Sequence, residues 1–174
     1  IARRVELVEN LEERGARCRA RLAALLALAA CQDAPPEQPP LAGAAIGAEF
    51  TLTGEDGDPV SWSDFDGQYR TLYFGYTYCP DVCPMTLTLL STSLDDVAER
   101  GVDTTPLQTV FITVDAERDT PEQLAAYLSL FDLPVTGLTG DSRQLERAHD
   151  AFGAYASRVE QADGVILFDH TATV

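Results

Sequence analysis

In the segment Tyr78-Cys79-Pro80-Asp81-Val82-Cys83-Pro84, two cysteines stand separated by Pro-Asp-Val. The apolar run TLYFGY at 71–76 precedes them, and a helical pattern opening at Pro84 follows. The pair is therefore expected where a strand hands over to a helix, the edge at which open α/β sheets bind ligands. Unpaired amide N–H groups and the helix dipole favour thiolate over thiol at such a start. Two neighbouring thiolates repel each other. Either they lose two electrons and form a disulfide, or they bind a cation. A structural bridge in an oxidising compartment is the plain alternative, though a bridge closing so short a loop gains little.

If a cation is bound, two soft sulfurs suit Cu(I), zinc or an iron–sulfur cluster. A structural zinc site or a cluster normally takes four protein ligands. The other cysteines, Cys18 and Cys31, lie upstream in a segment with a different purpose, so a cluster is excluded and a closed zinc site is hard to build. Cu(I) accepts two or three ligands, and Cu(II) wants nitrogen as well. Two histidines could supply it. His149 falls near the end of a helical pattern, at the edge of its inward face, and reads as a partly packed surface residue. His170 lies in Phe168-Asp169-His170-Thr171, just after an apolar strand. Spacing alone leaves its role open. Met85 could offer a thioether, but reads as core filler.

The elements that must position these residues alternate along the chain. Short strands at 50–53 and 60–62 flank the turn EDGDP. Strands are expected at 71–76, 108–114 and near 136–139, and a final pair at 154–160 and 165–168. A helix from Pro84 to about Arg100 carries Leu87, Leu90, Leu94 and Val97 on one face, and Gly101 stops it. Thr120 caps a second helix that opens at Pro121 and buries Leu124, Leu128 and Phe131. A third spans 142–152, with Leu145, Ala148 and Phe152 inward. Strands alternating with helices imply an α/β fold with parallel strands, to which a terminal hairpin adds antiparallel ones.

Ahead of this domain the chain carries an address. LAALLALAA at 22–30 is an apolar run preceded by Arg17, Arg19 and Arg21, the pattern of a secretory signal. It is short of the roughly 20 residues that a membrane-spanning helix needs. It ends in Leu28-Ala29-Ala30-Cys31, which resembles the bacterial lipobox, whose cysteine is acylated. QDAPPEQPP follows and could not continue a helix. Residues 1–30 thus read as an upstream segment and lipoprotein signal, 31–46 as a Pro- and Ala-rich tether, and 47–174 as the folded domain. The expected location is the bacterial cell envelope, lipid-anchored on the periplasmic face.

The 174 residues carry a net charge of −16, and residues 31–174 alone carry −18. Such a polyanion repels nucleic acid, which must be neutralised by cations to bind. It suits a soluble domain that attracts cations or a basic protein face.

GYTYCPDVCP at 75–84, VDAERDTPE at 114–122 and DHTA at 169–172 together resemble the SCO/SenC family. Gly47, Phe50, the turn at Gly57 and Asp64-Phe65-Asp66-Gly67 fit it too. The resemblance implies a thioredoxin-like fold, a central mixed sheet flanked by helices. It implies that Cys79, Cys83 and His170 bind copper, Cu(I) or Cu(II), with Cys79 and Cys83 forming a disulfide when oxidised. The implied partners are copper donor proteins and cytochrome c oxidase subunit II, whose binuclear copper centre the family supplies or whose thiols it maintains. Asp115 and Asp119 resemble an acidic loop near the site, supporting it or docking a partner rather than ligating. Asp169 is expected either to orient the His170 ring or to face solvent. Family members continue through a further strand and a closing helix, so the chain is expected to be truncated after Val174.

Two functions follow from these residues: a copper metallochaperone without turnover, and a thiol–disulfide oxidoreductase acting on the cysteines of a copper-binding partner. Thioredoxin-like reductants resemble one another in having Cys-x-x-Cys and a facing cis-proline. This chain has one residue more between its cysteines and no proline after Pro134. Both points favour metal over exchange.

Overall fold

The structure, a computed structural model, describes residues 46–172. The signal, Cys18, Cys31 and nearly all of the tether lie outside the described residues. Seven strands and three α-helices follow one another along the described chain. They are β1 (Thr51–Gly54), β2 (Pro59–Ser61), β3 (Tyr69–Gly75), α1 (Val82–Glu99), β4 (Leu107–Thr113), α2 (Pro121–Leu128), β5 (Val135–Thr139), α3 (Ser142–Phe152), β6 (Ala156–Glu160) and β7 (Ile166–His170).

Five strands make one mixed sheet in the order β2-β1-β5-β4-β3. β3, β4 and β5 run parallel, with Tyr73 opposite Phe111, and β1 is antiparallel to both its neighbours. Parallel strands need crossover connections, and α1 and α2 provide them. Both helices pack on the face that carries Tyr73 and Phe111: the Phe111 ring lies 6.2 Å from that of Tyr127 on α2, and a Cβ at Gly75 would meet both Phe111 and the Cys83 sulfur of α1. The other face belongs to α3, where Phe74 meets His149 and Phe152. Leu52, Leu87, Val110, Ile112, Leu124, Leu138 and Leu145 complete the buried core.

Local chemistry explains most boundaries. The Asp56 carboxylate accepts from the Asp58 amide in the turn between β1 and β2. Thr120 caps α2 by accepting from the Gln123 amide, with Pro121 in the first turn. Asp141 and Gln144 form a capping box at the start of α3. Gly153 ends α3 with φ near +64°, a left-handed conformation that glycine adopts at little cost.

Several expectations are corrected. α1 begins at Val82, two residues before Pro84, which places Cys83 inside the helix. Proline fits there because an amide in the first turn has no intrahelical acceptor to lose. β3 is an edge strand of the five rather than a central one, and its apolar character reflects helices on both faces. The hairpin β6–β7 forms its own two-stranded sheet. Val97 and Met85 are exposed, so neither belongs to the core. β7 extends to His170, which ends the strand instead of following it.

Candidate metal centre

The handover from β3 to α1 places both sulfurs. Cys83 is fully buried on the underside of the first helical turn, and Cys79 is 8% exposed in the loop before it. The Cys83 amide, one of the unpaired donors of the helix start, points at the Cys79 sulfur across 3.4 Å. Cys79 therefore stands where a capping side chain would, since Asp81, the N-cap residue, makes no side-chain cap bond. The cysteines are not joined; both are free thiols.

His170 arrives from the separate hairpin. Its Nε2 lies 3.7 Å from the Cys83 sulfur, and its Nδ1 lies 3.0 Å from the Thr171 carbonyl oxygen. A proton on Nδ1 donated to that carbonyl leaves the Nε2 lone pair facing the thiols. The three ligand atoms lie within 4.8 Å of one another. Among the described residues this is the one group of His, Cys, Asp and Glu side chains so gathered. Two sulfurs and one imidazole nitrogen fit a soft or borderline cation such as copper, and the absence of carboxylate from the set disfavours hard ions.

Burial changes the electrostatics expected from the sequence. The helix start favours thiolate, yet burial pushes the Cys83 thiol up to about 12, with the neighbouring Cys79 adding to the effect. Without a cation Cys83 keeps its proton at neutral pH. A bound cation supplies the charge that burial withholds.

The two aspartates of the acidic loop are buried. Asp115 and Asp119 are 2% and 1% exposed. Asp119 accepts from the Thr77 amide at 3.0 Å, the Thr77 hydroxyl at 2.7 Å and the Thr113 hydroxyl. Burial raises its pKa, while those donors oppose the rise. It thus ties the loop bearing Cys79 to the end of β4. Asp115 pairs with Arg118. Neither carboxylate joins the metal-ligand group, and neither presents an edge for a partner.

Arg118 and Tyr76 went unnoticed in the sequence, although both lie within the quoted motifs. Arg118 Nη1 donates to the Ile166 carbonyl of β7 at 3.1 Å, and its guanidinium lies 4.7 Å from the Tyr78 ring centre. Tyr76 Oη accepts from the Phe168 amide at 3.3 Å, and the Tyr76 ring meets His170 edge-on. Their signal was an arginine among acids and a tyrosine beside the cysteines, which spacing alone does not assign.

Asp169 does not orient the ring. It is exposed and follows strand alternation onto the face opposite His170, whose Nδ1 faces a backbone carbonyl instead. His149 sits on the far side of the sheet, with Nε2 3.3 Å from the Thr113 carbonyl oxygen, and burial lowers its pKa. Among the described residues no helix is long and apolar enough to cross a membrane.

A thioredoxin-like α/β layer with two thiols at a strand-to-helix junction and an imidazole brought in from a hairpin defines a class of metal-binding protein. The SCO1/SenC family model matches residues 38–174, and the chain belongs to that family. It is 43% identical over 130 residues to protein SenC of Rhodobacter capsulatus, covering 75% of this chain and 58% of that protein. It is 38% identical over 136 residues to the mitochondrial SCO1 homolog 1 of Arabidopsis thaliana, covering 78% of this chain and 40% of that protein. The chain thus spans about half the length of these relatives. Among solved structures it is similar to Bradyrhizobium japonicum ScoI with copper bound, at 39% identity and a TM-score of 0.67, covering 74% of this chain and 80% of that one. It is also similar to Arabidopsis thaliana ScoI with copper bound, at 36% identity and a TM-score of 0.68, covering 74% and 78%.

Proposed function

We propose that this protein is a copper carrier of the bacterial cell envelope that holds the ion through Cys79, Cys83 and His170. It receives copper from donor proteins and passes it to the binuclear centre of cytochrome c oxidase subunit II. The observation that carries this reading is the convergence of two thiols and one imidazole within 4.8 Å. The copper bound in two similar structures supports the choice of ion. The oxidase as destination rests on the family resemblance. Anchoring at the periplasmic face through an acylated Cys31 rests on the sequence Leu28-Ala29-Ala30-Cys31 after its apolar run.

Thiol–disulfide exchange is the second reading. In it Cys79, the more exposed of the two thiols, would attack and the buried Cys83 would resolve the mixed disulfide.

The test is copper stoichiometry under a strong Cu(I) competitor. The reduced protein should retain one equivalent, and Cys79→Ser or Cys83→Ser should retain none. Full retention by either variant would sink the reading. His170→Ala should weaken Cu(II) binding far more than Cu(I) binding, while His149→Ala should leave both unchanged. Cys31→Ser should abolish acylation; an unchanged detergent-partitioning species would count against the anchor.

A further inference from the structure

The hairpin that delivers His170 shares no strand ladder with the five-stranded sheet among the described residues. It therefore needs other means to keep its imidazole 3.7 Å from the Cys83 sulfur. One side chain reaches every part concerned. Arg118 pairs through Nε with the buried Asp115, donates through Nη1 to the Ile166 carbonyl at 3.1 Å, and lies 4.7 Å from the ring centre of Tyr78, the residue before Cys79. Its guanidinium also lies 6.0 Å from the Phe168 ring, two residues before His170. Asp115 is itself fixed, with its amide donating to the Thr113 hydroxyl at the end of β4. A rigid planar fork thus runs from the core of the sheet to the strand that carries the imidazole.

We infer that Arg118 is a positioning residue for the third copper donor: it pins β7 so that His170 stays within reach of the ion held by Cys79 and Cys83. This rests on the copper reading above. Cys83 is set by α1, and Cys79 by the loop that Asp119 ties to β4 through Thr77. The strand carrying the nitrogen is held to the sheet by the fork together with the Tyr76 Oη–Phe168 amide hydrogen bond. Loss of the fork should be felt by Cu(II), which demands nitrogen, and not by Cu(I), which two thiolates satisfy.

Lysine is the informative substitution. Arg118→Lys keeps a cation for the buried Asp115, so folding is preserved, but a single ammonium cannot pair with Asp115 and donate to Ile166 in one fixed plane. Outer contacts that orient a ligand are commonly worth about 10- to 100-fold in metal affinity. Arg118→Lys should therefore lower Cu(II) affinity at least about tenfold, reduce the nitrogen hyperfine coupling of the Cu(II) state, and leave Cu(I) affinity within about twofold. In a His170→Ala background the same substitution should have no further effect on Cu(II). Unchanged Cu(II) affinity and coupling in Arg118→Lys would overturn the inference. So would an equal loss for both oxidation states, or a loss that persists without His170. A metal-free arm separates this inference from the copper reading. Arg118→Lys should accelerate amide exchange in 166–170 by about tenfold or more while 110–112 in β4 is unchanged. If the parent protein binds no copper, the copper reading fails and amide exchange alone decides the role of Arg118. Unaltered exchange in β7 then overturns it.

Discussion

Gly75, the last residue of β3, leaves open the space next to the Cys83 sulfur of α1. A Cβ at Gly75 would stand 3.2 Å from that sulfur and 2.8 Å from the Phe111 ring. The strand can end beneath the Cys83 thiol because its last residue has no side chain. Gly75→Ala should cost about 1–3 kcal/mol of folding stability through overpacking. It should also weaken Cu(I) and Cu(II) binding alike, by displacing Cys83. Denaturant unfolding and copper competition measure the two effects. A variant with parental stability and affinity would show that the surroundings relax freely.

Copper uptake should release protons. Burial holds the Cys83 thiol up to about 12, so at pH 7 the incoming ion displaces at least this proton. Apparent Cu(I) affinity should rise by about tenfold per pH unit for each proton displaced between pH 6 and 8. Titration in weak buffer should record at least one proton per copper. Binding with no proton release would mean that Cys83 is ionised before the metal arrives.

His149 predicts acid sensitivity unconnected with copper. Burial lowers its pKa in the folded protein, so as pH falls the unfolded chain takes up the proton first. Stability should therefore be present above about pH 6.5 and decline as pH falls below it. Unfolding free energies across pH 5–8 should show a shallower decline for His149→Gln than for the parent. Equal slopes would show that other groups dominate.

Asp119 carries the loop that bears Cys79. Asp119→Ala would strip acceptors from the Thr77 amide, the Thr77 hydroxyl and the Thr113 hydroxyl together. The expected cost is about 2–4 kcal/mol, by the loss of a buried hydrogen-bond network. Cys79 should also become markedly faster to alkylate. An unchanged alkylation rate would sink the anchoring role, whatever happened to stability.

The sequence disclosed the elements more readily than their neighbours. TLYFGY and QTVFITV announced buried strands by composition, and Thr120-Pro121 and Gly101 marked helix ends by backbone chemistry. The cysteines declared themselves because thiols separated by three residues at a helix start have few uses. His170 was legible only through resemblance, since nothing local tells an imidazole which sulfur lies across the fold. Whether Asp115 and Asp119 support the site or face a partner was not legible, because burial is a property of packing, not of residue type. The outer position of β3 and the isolation of the hairpin depend on strand pairing over long separations, to which periodicity is blind.

The amide of Cys83, aimed at the Cys79 sulfur, makes the site self-reporting. Its proton meets one sulfur whose lone pairs change whenever that atom is protonated, joined to its neighbour or given to a metal. A single backbone resonance can therefore follow thiol, disulfide and metal-loaded states in turn, without a label and without touching the imidazole.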